Sequence, residues 1–141
     1  LANKYKAKQV SVPLPENPLL CTGDVSIIVP TIDTEDSFTN SVRLWLNNKP
    51  REIIVVTIPR DLDRVRELLA PIDDCYDSKI HLLTVPEPNK REQMVCGIKF
   101  ATGAILCLVD DDVFWPHDRV LPHLLAPLEN ERIGAVGGPQ K

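Results

Sequence analysis

Short apolar runs rich in β-branched residues alternate with stretches whose apolar residues recur at helical spacing. That alternation predicts an α/β fold, with a mostly parallel sheet and helices on both faces. The runs are near-continuous in apolar character, as in strands buried on both faces. A hydrophobic share of 43% and a charged share of 26% over 141 residues suit one packed domain with a real core.

Residues 1–24 read as an extended basic and Pro-rich arm. Lys4, Lys6 and Lys8 are followed by Pro13, Pro15 and Pro18, which break any regular element. The domain proper is expected over 25–141. Val25 to Val29 is the first strand. Asp36 to Lys49 is a helix with Phe38, Val42, Trp45 and Leu46 on its apolar stripe and Asp36 or Ser37 as its cap. Glu52 to Ile58 is the second strand. Arg60 to Ala70 is the second helix, buried through Leu62, Val65, Leu68 and Leu69. Ile80 to Val85 is the third strand. Asn89 to Thr102 is the third helix, with Met94, Val95, Ile98 and Ala101 turned inward and Gly103 ending it. Ala104 to Val109 is the fourth strand. His117 to Leu128 is a short or broken helix, interrupted by Pro122 and Pro127, and Ile133 to Gly138 is a fifth strand. Right-handed crossovers connect such strands.

Composition excludes several classes. The net charge of −4 gives no general pull toward nucleic acid or anionic lipid. The longest apolar run, Ala104 to Val109, is far short of the roughly 18 residues of a membrane span, and the first residues show no signal-peptide pattern. Cys21, Cys75, Cys96 and Cys107 form no CxxC pair or zinc spacing and read as reduced thiols, Cys96 and Cys107 packed. His81, His117 and His123 have no partner at metal spacing. The chain opens on Leu1 rather than Met, and a strand-like run lies almost at its end, so a piece of a longer protein is expected.

Ligands of parallel sheets bind beyond the carboxyl ends of the strands. Pro30-Thr31-Ile32-Asp33 follows the first strand and Thr57-Ile58-Pro59 the second. Asn89-Lys90-Arg91 opens the third helix, and Asp110-Asp111-Asp112 follows the fourth strand. In an extended segment Asp110 and Asp112 face one way and Asp111 the other. Three adjacent carboxylates repel one another unless solvated or neutralised. Either they form a solvated acidic loop, or Asp110 and Asp112 hold Mg²⁺ or Mn²⁺ in a site completed by a diphosphate. Cations are the unfavourable sign at a helix N-terminus. Lys90 and Arg91 are therefore either an exposed basic pair or contacts to an anionic ligand. Trp45 belongs to the core. Trp115 either packs in the core or at the rim, or floors a sugar or base pocket.

Together these segments resemble the family 2 glycosyltransferases, which have a Rossmann-like GT-A fold. The resemblance runs from about Asp24 to Pro139. Val25 to Thr31 is similar to the family's opening strand. Lys90-Arg91-Glu92-Gln93-Met94 resembles the Lys-Arg-Glu segment of hyaluronan synthases. Gly103 to Asp112 resembles the strand that delivers the DXD motif, and Ile133 to Pro139 the strand after it. The closest group is the processive, membrane-embedded hyaluronan, chitin and cellulose synthases, in a fungal type. The resemblance implies inverting transfer from a UDP-sugar donor to a glycan acceptor. It implies Asp110 near the ribose or metal, Asp112 on the Mg²⁺ or Mn²⁺, Thr31 and Asp33 near the uridine, and Lys90 and Arg91 near the phosphates. It also implies membrane helices flanking a cytosolic domain in the full-length protein. Thr57 stands where the family often has a base-contacting aspartate. The general base and the Gln-x-x-Arg-Trp motif are expected beyond residue 141, so no catalytic residue is assigned within the chain.

A receiver-type phosphoacceptor domain is excluded, because its acidic cluster follows the first strand and here it follows the fourth. A truncated or degenerate GT-A domain acting as a binding module, and a soluble non-processive family 2 enzyme, remain as alternatives.

Overall fold

The computed structural model describes residues 13–76, 79–130 and 134, with the side chains of 73–76 set aside. Lys4, Lys6, Lys8, the Cys75 side chain and the expected strand Ile133 to Gly138 lie outside the described residues. The elements are β1 (Val25–Pro30), α1 (Phe38–Asn47), β2 (Glu52–Thr57), α2 (Leu62–Tyr76), β3 (Ile80–Thr84), α3 (Lys90–Phe100), β4 (Ile105–Leu108) and α4 (Val120–Leu125). The sheet order is β3-β2-β1-β4, and every pairing is parallel. Ile27 sits opposite Ile53 on one side and Cys107 on the other.

The strand pattern explains the layers. Ile27, Val29, Ile53 and Val55 point to one face, where they pack with Phe38, Val42 and Trp45 of α1, Val65 and Leu69 of α2, and Leu121 and Leu125 of α4. Phe38 and Trp45 meet edge to face, with ring centroids 5.9 Å apart. Ile28, Ile54 and Val56 point to the other face, where α3 covers them. Helices therefore lie on both faces of the sheet, as the periodicity predicts.

Several expectations are corrected. Burial on both faces holds for β1 and β2, which are buried throughout. It fails for β4, an edge strand of the described sheet, where Leu106 is 43% exposed and Leu108 51%. The inward face of α3 is also different: Val95 and Ile98 are 41% and 38% exposed, while Gln93 and Gly97 are buried. Gly97 is the reason. A Cβ there would lie 2.6 Å from Ile28 Cγ2, so the helix settles onto the sheet through its small residue rather than its larger apolar ones.

Three boundaries shift too. Ser37 occupies the N-cap position of α1, but its side chain makes no cap hydrogen bond, and Asp36 pairs with Arg64 instead. Helix α2 runs past Ala70 and through Pro71 to Tyr76, its far part anchored by buried Ile72. Helix α3 ends at Phe100, with Ala101 already extended. Gly103 is needed for close approach: a Cβ would lie 2.6 Å from both Asp24 O and Ser26 Oγ. The expected broken helix near the end is α4 followed by a 3-10 turn, Ala126–Glu129.

The amino-terminal edge of the sheet is tied by buried Glu52. Its Oε2 accepts from Ser26 Oγ at 2.6 Å, Thr102 N at 2.7 Å and Thr102 Oγ1 at 2.9 Å, and Oε1 lies 3.3 Å from His81 Nε2. These bonds join β1, β2, β3 and the α3–β4 link, and hold the Glu52 carboxyl below its usual range although burial alone would raise it. Residues 13–21 carry no regular element, and the Glu129 carboxylate accepts the Leu19 and Leu20 N–H groups at 2.8 and 2.7 Å. Among the described residues no helix is long and apolar enough to cross a membrane.

Candidate functional site

Strand order fixes where a ligand sits. From β1 the chain builds outward to β2 and β3, then returns to add β4 on the other side of β1. The switch point therefore lies between the carboxyl ends of β1 and β4. Thr31 follows β1 and Asp110-Asp111-Asp112 follow β4, so two distant segments meet there. Thr31 Oγ1 donates to Asp111 Oδ2 at 2.7 Å and shares a 2.7 Å bond with Thr34 Oγ1. Thr31 is itself pinned. Its N–H donates to Val56 O at 3.0 Å. The buried Gln93 amide donates to Val56 O at 2.8 Å and to Thr31 O at 3.3 Å. Gln93 thus bridges the Val56 and Thr31 carbonyls at the carboxyl ends of β2 and β1.

The three carboxylates have different surroundings. Strand β4 stops at Leu108, and Asp111 and Asp112 lie in a turn, closed by Val113 N to Asp110 O at 3.2 Å. Simple alternation along an extended strand therefore does not continue through the triplet. Asp110 Oδ1 accepts from Lys90 Nζ at 2.6 Å. Asp111, left out of the sequence-based site, points inward to Thr31. Burial pushes its carboxyl up, the Thr31 hydroxyl opposes that, and the charges of Asp112, Asp110 and Glu35 add to the rise. Asp112 is exposed. The Lys90 ammonium is held above its usual range, first by its bond to Asp110 and then by the field of all three carboxylates.

Asn89 caps α3, its side chain accepting Glu92 N at 3.1 Å, and this sets Lys90 at the first turn. A cleft of about 240 Å³ lies between Pro30, Lys90, Met94, Leu108, Asp110 and Val113. Arg91 points elsewhere, lining a separate open depression with Val95 and Lys99. The structure brings Lys90, and not Arg91, to the carboxylates.

Asp33 stands at the other side of Thr31. Its φ of 49° is left-handed, a conformation that costs a non-glycine residue about 1–2 kcal/mol. Its N–H donates to Asp61 Oδ2 at 2.9 Å, and its Oδ1 accepts from Arg60 Nη2 at 2.9 Å. Arg60 also reaches Asp61. Burial would raise the Asp61 carboxyl, but the Asp33 N–H and the Arg60 guanidinium hold it below its usual range. Thr57 is fully buried, and its hydroxyl has no hydrogen-bond partner among the described residues. It cannot stand in for an exposed aspartate at that position. Trp115 packs in the core, the first of its expected roles.

Sequence reasoning missed Asp111, Thr34, Gln93, Arg60 and Asp61. Gln93 did carry a signal, since its i,i+4 spacing to Gly97 marks one helix face.

A divalent cation suits the donor chemistry at the β4 end. Asp110 and Asp112 offer hard oxygens, and the Lys90 ammonium already stands against Asp110 as a stand-in cation. Among the described residues no group of three or more His, Cys, Asp or Glu is placed to hold a metal.

The family described as Glycosyl transferase family 2 matches residues 26–141. The NDP-glycosyltransferase ltbB of Aspergillus luteorubrus is 51% identical over 136 residues, covering 96% of this chain and 33% of that protein. A type 2 glycosyltransferase of Zymoseptoria tritici is 40% identical over 131 residues, covering 92% of this chain and 27% of that protein. The chain thus spans about a third or less of the length of these relatives. The crystal structure of 4-diphosphocytidyl-2C-methyl-D-erythritol synthase from Anaerococcus prevotii has a TM-score of 0.58 at 16% identity, over 75% of this chain and 51% of that one, a likeness of fold. With the family's match spanning both strand ends of the switch-point cleft, this chain belongs to the family 2 glycosyltransferases.

Proposed function

We propose that the chain is the donor-binding half of an inverting glycosyltransferase that uses a UDP-sugar with Mg²⁺ or Mn²⁺ and transfers to a glycan acceptor. The observation that carries this reading is the meeting of Thr31 and Asp110-Asp111-Asp112 across the β1/β4 switch point, with the Lys90 ammonium against Asp110. The printed name of one relative, an NDP-glycosyltransferase, supports a nucleoside diphosphate donor. Asp110 and Asp112 would hold the metal. A bound metal supplies Lewis-acid neutralisation of the departing diphosphate. Asp111 stays bonded to Thr31 and sets the shape of the carboxylate turn. Lys90 is placed to turn from Asp110 to a phosphate oxygen, a charge-assisted bond. Thr31 and Asp33 border the uridine end. The acceptor hydroxyl would attack the anomeric carbon in line as UDP leaves, its proton taken by a base outside this chain. The Lys90-Arg91-Glu92 run supports an acceptor chemistry like that of polysaccharide synthases, with membrane helices elsewhere in the longer protein.

The test is a thermal-shift titration with UDP and Mn²⁺ on the wild type and on Asp112→Asn. The expected result is a stabilisation that needs both ligands, reaches about 2.7 kcal/mol at a hundredfold excess over Kd, and disappears in the variant. No shift in well-folded protein would sink the reading.

A further inference from the structure

We infer that Thr31 is a positioning residue for the metal ligands: its hydroxyl holds Asp111 inward, and that bond leaves Asp110 and Asp112 turned outward as the pair that takes the cation. This rests on the donor-binding reading above and gives Thr31 a task beyond bordering the nucleoside.

Thr31 is built as a fixed point. It is 2% exposed and follows β1, which is buried throughout. Its N–H is spent on Val56 O and its carbonyl on the buried Gln93 amide. A hydroxyl has one proton to give, and Thr31 gives it to Asp111 Oδ2 at 2.7 Å. The 2.7 Å bond to Thr34 Oγ1 must then run the other way, with Thr34 donating and Thr31 accepting. Thr34 is 6% exposed, so the donor behind Thr31 is buried too. The polar groups of Thr31 are therefore all engaged within the protein, and its hydroxyl is aimed at the carboxylate turn.

The turn depends on that aim. Among the described residues, the bond from Thr31 is the hydrogen bond that the Asp111 side chain makes. Repulsion from Asp110 and Asp112 works against holding a third carboxylate inward, and the Thr31 hydroxyl opposes it. With Asp111 tied down, Asp110 is left half-exposed against Lys90 and Asp112 exposed. A group that orients ligands without touching the metal still sets metal affinity, and its loss typically costs about 10–100-fold.

The experiment is titration of the chain with UDP, with and without Mn²⁺, by calorimetry and thermal shift. Wild type is compared with Thr31→Val, Thr31→Ser, Asp111→Ala and Asp111→Asn. In wild type Mn²⁺ should raise the affinity for UDP. Thr31→Val keeps the branched shape without the hydroxyl. It should cut the Mn²⁺-dependent gain about tenfold and leave UDP affinity without metal unchanged. Thr31→Ser keeps the hydroxyl and should keep the gain. Asp111→Ala breaks the same bond from its other end and should lose the gain to the same extent, which carries the test even if Thr31→Val does not fold. Asp111→Asn keeps an acceptor and should keep the gain. A merely structural role would lower the Tm of Thr31→Val and spare the gain, which overturns the inference. An equal loss of UDP affinity with and without metal overturns it as well, by putting the side chain on the nucleoside. A gain lost in Asp111→Asn does the same, by making the charge rather than the bond the determinant. A wild-type gain that survives in Asp111→Ala overturns the inference alone. Wild-type protein that does not bind UDP, or binds it without responding to Mn²⁺, overturns the donor reading and this inference with it.

Discussion

Glu52→Gln tests the tie at the amino-terminal edge of the sheet. The substitution keeps shape and volume but replaces a carboxylate with an amide. Oε2 accepts three hydrogen bonds, from Ser26 Oγ, Thr102 N and Thr102 Oγ1. Bonds to a charged acceptor are worth about 1.5–3 kcal/mol and neutral ones about 0.5–1.5, so each weakens by roughly 1 kcal/mol. An amide is cheaper to bury than a carboxylate, which returns about 1 kcal/mol and leaves a net loss of about 2. For a domain of this size that is a fall in Tm of roughly 6–10 °C. The pH dependence gives a second check. The folded-state carboxyl of Glu52 is held below its ordinary value, so its stabilisation is complete above that value and is lost as pH falls through the folded one. The gap in Tm between wild type and variant should be constant near neutrality and should close in acid. Scanning calorimetry from pH 7 to pH 3 measures both. A Tm change under about 2 °C, or a gap that persists in acid, would refute the reasoning.

Gly103→Ala should cost about 2–3 kcal/mol, since its Cβ would strike Asp24 O and Ser26 Oγ. Combined with Glu52→Gln the loss should be less than additive because both act through Ser26, and a chemical-denaturation double-mutant cycle shows it. Asp111→Asn should raise stability at pH 7, read as a higher Tm, because it keeps an acceptor for Thr31 and removes a crowded, half-buried charge. Its pH signature is opposite in origin to that of Glu52. The raised folded pKa penalises the native state only when Asp111 is ionised, so the advantage of the variant should vanish as wild-type Asp111 protonates in acid. Lys90→Gln should bind Mn²⁺ alone more tightly and UDP with Mn²⁺ about tenfold more weakly, read by calorimetry, because the ammonium competes for Asp110 but serves a phosphate.

The fold was legible because hydrophobic periodicity carries burial, and burial sets the layers. Phe38, Val42, Trp45 and Leu46 were read as one stripe and are buried together. Where burial is decided by close approach rather than by hydropathy, the reading failed. Helix α3 turns Gly97 and Gln93 inward because a small residue lets it descend onto Ile28, and no hydropathy pattern encodes that. The edge position of β4 in the described sheet is likewise a property of sheet order, invisible in the run Ile105 to Leu108. For the site, strand ends named the right neighbourhood and Thr31, Asp110 and Lys90 do meet there. The inward turn of Asp111 and the Asp33–Arg60–Asp61 arrangement arise from backbone geometry, a turn after β4 and a left-handed residue after β1. Sequence spacing alone does not specify these.

The burial of Trp45 and Trp115 has an optical consequence. The chain has two tryptophans. Trp45 donates its indole N–H to the carbonyl of Val113 at 3.2 Å, one residue past the aspartate triplet, and Trp115 lies two residues further on in the same core. Both chromophores are therefore moored to the segment that carries the carboxylates. Any ligand that reorders that turn changes the surroundings of both indoles of this chain. The intrinsic emission of the chain becomes a label-free gauge of occupancy.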